Sequence, residues 1–220
     1  MKFSLKPLVC SFALASALCV TSPSIAQDTS LILNYDGFFD RLDDLDEPEY
    51  ADITLGFYFR KLGSQQPCGI RSAVIKSQSD ERNVYFYPSG EVILPFDKQL
   101  DMDKAKLIIE KIDASQCGLD MRLETKAVLS ATIPKAQVLR YIKTFDLALD
   151  EMGGMMAFMM PDVAGITFLA AEDKPLQFNN SGIGRCDAFG CTLMLTELDK
   201  LDQALIFNYQ PNKAVPYIAK

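Results

Sequence analysis

Ile53-Thr54-Leu55-Gly56-Phe57-Tyr58-Phe59-Arg60-Lys61-Leu62 is the stretch that decides the fold. Ile53, Leu55, Phe57 and Phe59 alternate with Thr54, Gly56, Tyr58 and Arg60. Successive side chains of a strand face opposite ways, so a period of two reads as a half-buried strand with one face on a core. The same rhythm continues outward. Residues 70–76 read as a strand, and residues 83–87 and 91–96 flank the turn signal Pro88-Ser89-Gly90. Residues 119–125 alternate Leu119, Met121 and Leu123 against Asp120, Arg122 and Glu124. Upstream, residues 31–35 form a short strand candidate, and residues 37–45 set Phe38, Leu42 and Leu45 on one helical face. Residues 105–109 admit two readings: a helix capped by Asp101 or Asp103, or a strand favoured by branched side chains.

Residues 134–152 give the clearest helix. Val138, Ile142, Phe145, Leu149 and Met152 recur at helical intervals, Pro134 suits the first turn, and Gly153-Gly154 stops it. The β pattern returns at 165–171, 176–178, 192–195 and 205–209, and Val215-Pro216-Tyr217-Ile218 reads as a terminal edge strand. The later block echoes the earlier one. Gly69-Ile70 matches Gly165-Ile166, the segment 85–90 matches 177–182, Val92-Ile93-Leu94 matches Leu193-Met194-Leu195, and 103–108 matches 202–207. The expectation is an α+β protein, mainly antiparallel β. Two related β units, at about 65–126 and 163–218, pack as a sandwich or paired small sheets joined by the amphipathic helix at 134–152.

The N-terminus carries an address. Lys2 and Lys6 precede an apolar run over 8–20, and Ser24-Ile25-Ala26 places small residues where a signal peptidase reads. The run is short of the roughly 20 residues a spanning helix needs. Residues 1–26 therefore read as a cleaved signal peptide and 27–220 as one exported domain, periplasmic or secreted, with no stable membrane insertion. The full chain has a net charge of −7, and loss of Lys2 and Lys6 leaves 20 basic against 29 acidic residues. Such a chain repels phosphate backbones, which argues against a nucleic-acid partner.

Export changes how the cysteines read. Cys10 and Cys19 leave with the leader, and Cys68, Cys117, Cys186 and Cys191 remain, enough for two disulfides in three connectivities. Cys186-Asp187-Ala188-Phe189-Gly190-Cys191 is a short loop that a local bridge can close, which leaves Cys68 with Cys117. The spacing Cys-x-x-Cys of a thiol oxidoreductase is absent.

The chain contains no histidine, which excludes Ser-His-Asp and Cys-His catalysis and any His-ligated metal. No phosphate loop, dinucleotide fingerprint or Gly-x-Ser-x-Gly element is present. Asp43-Asp44-Leu45-Asp46-Glu47-Pro48-Glu49 lacks EF-hand spacing and reads as a solvated helix end. Met152-Gly153-Gly154-Met155-Met156-Ala157-Phe158-Met159-Met160 gathers five of the nine methionines. Plain core packing is the first reading. A partner groove is the second, and a Cu(I) site made by Met152, Met155, Met156, Met159 and Met160 is the third.

Tyr35-Asp36-Gly37-Phe38-Phe39-Asp40-Arg41-Leu42, Gly56-Phe57-Tyr58-Phe59, Gln66-Pro67-Cys68, Leu94-Pro95-Phe96-Asp97 and Met152-Gly153-Gly154-Met155 leading to Met160-Pro161 resemble an exported gammaproteobacterial family, domain of unknown function 2987. The resemblance implies an envelope location and carries over no activity, ligand or catalytic residue. No catalytic residue and no cofactor is assigned. The expected role is a non-enzymatic interaction or binding module for an envelope protein or small ligand. The alternatives are a Cu(I) handler and an envelope hydrolase, the latter requiring a convergent polar pocket with perturbed carboxylates.

Overall fold

β1 (Ser30–Asn34) and α1 (Asp36–Asp43) come first in the computed structural model, which describes residues 29–64, 66–154, 161–171 and 174–219. The leader and Met155, Met156, Met159 and Met160 lie outside those residues. α1 carries Asp36 in its first turn and Arg41 in its last, the order that complements the helix dipole. It buries Phe38 and Phe39, and Phe38 meets the ring of Phe57 edge-on at 5.1 Å. Next come β2 (Ile53–Lys61), β3 (Ile70–Lys76), β4 (Glu81–Asn83), β5 (Tyr85–Phe86), β6 (Glu91–Ile93), α2 (Lys98–Met102), β7 (Lys106–Lys111) and β8 (Cys117–Thr125).

These strands make two antiparallel sheets, ordered β1-β7-β3-β4 and β5-β6-β2-β8. Ile75, Leu107 and Ile109 from the first and Phe57, Phe59 and Val92 from the second are buried in one core. Cys68 is bonded to Cys117, tying the approach to β3 to the start of β8 with Cα atoms 6.2 Å apart.

The second half is β9 (Thr132–Pro134), α3 (Lys135–Gly153), β10 (Val163–Leu169), β11 (Arg185–Cys186), β12 (Gly190–Met194), a 3₁₀ turn over Leu195–Lys200, β13 (Ala204–Ile206) and β14 (Ala214–Ile218). Its sheet runs β11-β12-β10-β14, and β9 pairs with β13 alone. α3 buries Val138, Tyr141, Ile142, Phe145 and Ala148. It packs on β9, β10 and β14 and also reaches β2. Gly154 ends it with φ of +49°, a conformation in which a Cβ is costly. Cys186 and Cys191 stand opposite each other in the β11–β12 hairpin and are bonded.

A repeat of strand order runs through the two halves. The order β5-β6-β2-β8 recurs as β11-β12-β10-β14, and the β1–β7 pair recurs as β9–β13. α3 follows β9 as α1 follows β1, so the joining helix is also the second unit's own. The structural register differs from the sequence echo in three places. β10 takes the place of β2, not of β3: Val92 faces Phe57 on β2 as Leu193 faces Ile166 on β10. Phe178 does not belong to a counterpart of β5. It bridges to Phe207 next to β13, as β3 lies next to β7. Leu107 corresponds by burial to Leu205 rather than to the half-exposed Ile206. Alternating apolar residues mark a strand but not its neighbours, so a sequence match slides by one strand at no cost.

Two other expectations are corrected, and one reading left open is settled. Residues 83–87 are not one strand, because the chain changes sheets at the buried Val84, whose N–H donates to Ala73 O. Residues 105–109 take the strand reading, with Lys106–Ile109 inside β7, and the helical cap is not Asp101 or Asp103 but Asp97, whose carboxylate accepts from the N–H groups of Gln99 and Leu100 at 2.9 and 3.3 Å. Residues 176–178 are not a strand. Asn180 supplies the missing pairing to β13, accepting from Ile206 N–H at 2.8 Å and donating to Ala204 C=O at 3.0 Å. A side-chain amide offers the same donor and acceptor as a peptide group.

Candidate functional site

The site begins at Gly56, in the middle of β2. Arg122 on β8 stands opposite Gly56, and Glu124 stands opposite Thr54, so Thr54, Gly56, Tyr58, Arg122 and Glu124 share one face of the sheet. A Cβ at position 56 would lie 2.7 Å from Tyr58 Cε2 and 3.0 Å from Glu124 Cδ. The missing side chain lets the Tyr58 ring lie back along the strand, and its hydroxyl donates to Glu124 Oε2 at 2.7 Å. Tyr58 is consequently buried, against the half-buried strand expected there.

Glu124 is almost wholly shut off from water, at 1% exposure. A lone carboxylate in that position would be prohibitively costly. It is compensated from two sides. Arg122 holds its guanidinium over the Tyr58 ring, 4.1 Å from the centroid, with Nε 3.5 Å from Glu124 Oε2. That contact is coulombic, since the buried Nε makes no hydrogen bond among the described residues. Lys213 arrives from the second unit. Its Nζ lies 3.5 Å from Glu124 Oε1 and donates to the carbonyls of Thr125 and Lys126, both at 2.8 Å. The next residue, Ala214, donates its N–H to Thr125 Oγ1 at 3.0 Å. The end of β8 and the start of β14 are thus stitched together around one buried charge.

Glu91 on β6 faces Tyr58 across the strand pair. Burial pushes its carboxyl above the ordinary range, the charge of Glu124 pushes the same way, and Lys213 and Arg122 pull against them. Burial and donation to Glu124 raise the Tyr58 phenol far above its usual value, keeping it a neutral donor.

Above this network runs a groove. One hollow of about 540 Å³ is bounded by Tyr87, Ser89 and Ile93 on one side and Lys126, Val128 and Asn212 on the other. A hollow of about 200 Å³ continues from it toward Leu42 and Leu94. Tyr87 and Ile93 are 43% and 45% exposed at the rim, and Tyr85 packs edge-on against Tyr87. Lys126 makes no ion pair among the described residues.

The residues singled out in the sequence lie elsewhere. The four cysteines form the two bridges described above. Met152, near the end of α3, packs partly buried against the core, and its carbonyl accepts from Arg41 at 3.4 Å. The other four methionines of the segment are outside the described residues. The acidic run at 43–49 closes α1 and enters a 3₁₀ turn, with Asp44 3.8 Å from Arg41. Among the described residues no group of three or more Cys, Asp or Glu side chains is placed to hold a metal ion. No helix among them is long and apolar enough to cross a membrane.

Sequence reasoning missed Tyr58, Glu91, Arg122, Glu124 and Lys213. The available signal was Gly56, a glycine inside a strongly patterned strand, which marks a close approach.

Residues 27–169 match the family described as "Protein of unknown function (DUF2987)", and the chain belongs to that family. No curated protein and no solved structure matches the chain.

Proposed function

We propose that this member of the DUF2987 family is exported and serves in the envelope as a non-enzymatic binding module whose ligand lies in the groove above Glu124. The leader-like residues 1–26, which lie outside the described residues, and the two disulfides support export. The groove supports binding. It is concave, mixed in polarity, and built from both units, where ligand sites are commonly found.

The observation that carries the reading is the engagement of Glu124. Oε2 receives Tyr58 and faces Arg122, and Oε1 faces Lys213. Glu91 also lines the groove with its carboxyl raised by burial, but the other carboxylate in that lining, Glu124, is held on both oxygens, so the pair of free carboxyl groups that acid–base hydrolysis uses is not assembled among the described residues, which favours recognition. The Cu(I) alternative has only Met152 among the described residues, where it packs into the core.

The test uses the disulfide-intact protein, isotopically labelled, titrated with periplasmic extract separated by size, low-mass and polymeric fractions in turn. Amide shifts should concentrate at Tyr87–Ile93, Lys126–Val128 and Asn212–Lys213, and the bound compound should be recovered chemically unchanged. Shifts confined to other surfaces, or recovery of a cleaved product, would overturn the proposal. Export is tested separately by mass spectrometry of the native protein, which should begin at Gln27.

A further inference from the structure

The proposed binding role leaves open what chemistry the groove accepts. Its shape is the first guide. A third hollow of about 170 Å³, lined by Lys174, Tyr209 and Gln210, shares Val128 and Asn212 with the central one. The central hollow shares Glu91, Ile93, Lys126 and Lys213 with the hollow under Leu42. The three form one continuous trough. An extended ligand fits such a trough, whereas a small molecule is usually enclosed on most sides.

The lining is the second guide. Tyr87 and Tyr209, 43% and 49% exposed, stand in neighbouring hollows of the trough. The same hollows are lined by Ser89, Asn212 and Gln210, which carry a hydroxyl and two amides. Aromatic rings offer apolar faces, while amides and hydroxyls donate and accept at once. That combination matches a polymer whose units carry both C–H faces and hydroxyl groups.

The floor is the third guide. The strands beneath the trough, β6 and β2, are each paired on both sides, β6 by β5 and β2, and β2 by β6 and β8. A peptide that binds by strand addition needs a free strand edge; β6 and β2 present none, and the edge strands beside the trough, β8 and β14, pack against each other.

We infer that the trough receives an extended polysaccharide strand, lying across the junction of the two units with sugar faces against Tyr87 and Tyr209. This inference rests on the reading of the trough as the ligand site. The net charge beneath it is largely compensated, because Glu124 is matched by Lys213 and Arg122. Lys126 at the rim stands without an ion pair among the described residues and faces the ligand as a cation.

The experiment titrates the labelled, disulfide-intact protein with three hexasaccharides: N-acetylated chitohexaose, maltohexaose and hexagalacturonate. A mixture of random decapeptides is titrated in parallel. At least one hexasaccharide should move the amides of Tyr87–Ile93 and Tyr209–Lys213 together. Tyr87→Ala and Tyr209→Ala should each weaken binding about tenfold, the loss expected on truncating an aromatic anchor. Both side chains are half-exposed, so thermal midpoints should stay near that of the parent, which separates lost binding from lost folding. Decapeptides that move the trough amides while every hexasaccharide is silent would overturn the carbohydrate assignment and leave the trough as a binding site. Silence of both classes, with extract shifts falling elsewhere, would overturn both.

Discussion

Lys213 Nζ lies 3.5 Å from Glu124 Oε1, an ion pair between two structurally repeated halves of one chain. The carboxylate is 1% exposed, and the lysine side chain is 18% exposed. Each unit therefore contributes one member of a charge pair that neither could bury alone. The pairing also fixes the position of the trough, because Lys213 and Glu124 both line its floor.

Removing the cation should expose that dependence. Lys213→Met strips Glu124 of a counter-charge and frees the carbonyls of Thr125 and Lys126. The expected loss is about 3–5 kcal/mol, the range for breaking one side of a buried pair. Adding Glu124→Gln should restore part of it, because a neutral amide needs no counter-charge. Urea denaturation of the two single variants and the double variant measures the coupling. A loss near zero for Lys213→Met, or strict additivity, would remove the pair as the link between units.

Glu91 gives a pH signature. Its folded-state carboxyl titrates above the ordinary value of 4.5, so the native protein holds this proton more tightly than the unfolded chain. Stability from this group is complete at pH values below the ordinary one and is lost as pH rises through the folded value. Glu91→Gln keeps the neutral state at every pH. The variant should therefore gain stability relative to the parent as pH rises from 4.5 toward neutrality. Denaturation curves taken across that interval check it, and parallel pH profiles for the two proteins would contradict the assignment.

Asn180 does the work of a strand in the second unit. Asn180→Ala leaves Ile206 N–H and Ala204 C=O without their partner. Ile206 is half-exposed and water can take up its N–H, so the loss should be about 0.5–1.5 kcal/mol, the range for an ordinary hydrogen bond. Amide hydrogen exchange should quicken at Ile206 and remain slow at its counterpart Ile108 in the first unit, where β3 covers β7. Unchanged exchange at Ile206 would show that the amide is dispensable.

The two disulfides should differ in weight. Cys68 and Cys117 are 49 residues apart, whereas Cys186 and Cys191 are 5 apart. Chain-entropy reasoning gives about 4 kcal/mol for the long loop and about 2 for the short one. Replacing the first pair by alanine should lower the urea midpoint about twice as far as replacing the second. Equal midpoints for the two variants would contradict this ranking.

The sequence by itself determined the local structure wherever one residue type could satisfy only one geometry. Ile53, Leu55, Phe57 and Phe59 fall on one face of β2 and in the core because a period of two leaves no other arrangement. Val138, Ile142 and Phe145 on α3 are buried for the matching helical reason. The short loop between Cys186 and Cys191 limited which sulfurs could meet. Tertiary structure alone decided which strands are neighbours, and with that the groove. Tyr58 sits on the face that alternation gives to solvent, yet it is buried because Arg122 and Glu124 from β8 and Lys213 from the far unit converge there. Those residues lie 64 to 155 positions from Tyr58, and no local pattern encodes a meeting at such separations. Periodicity records whether a side chain leaves water; it carries no information on what it then touches.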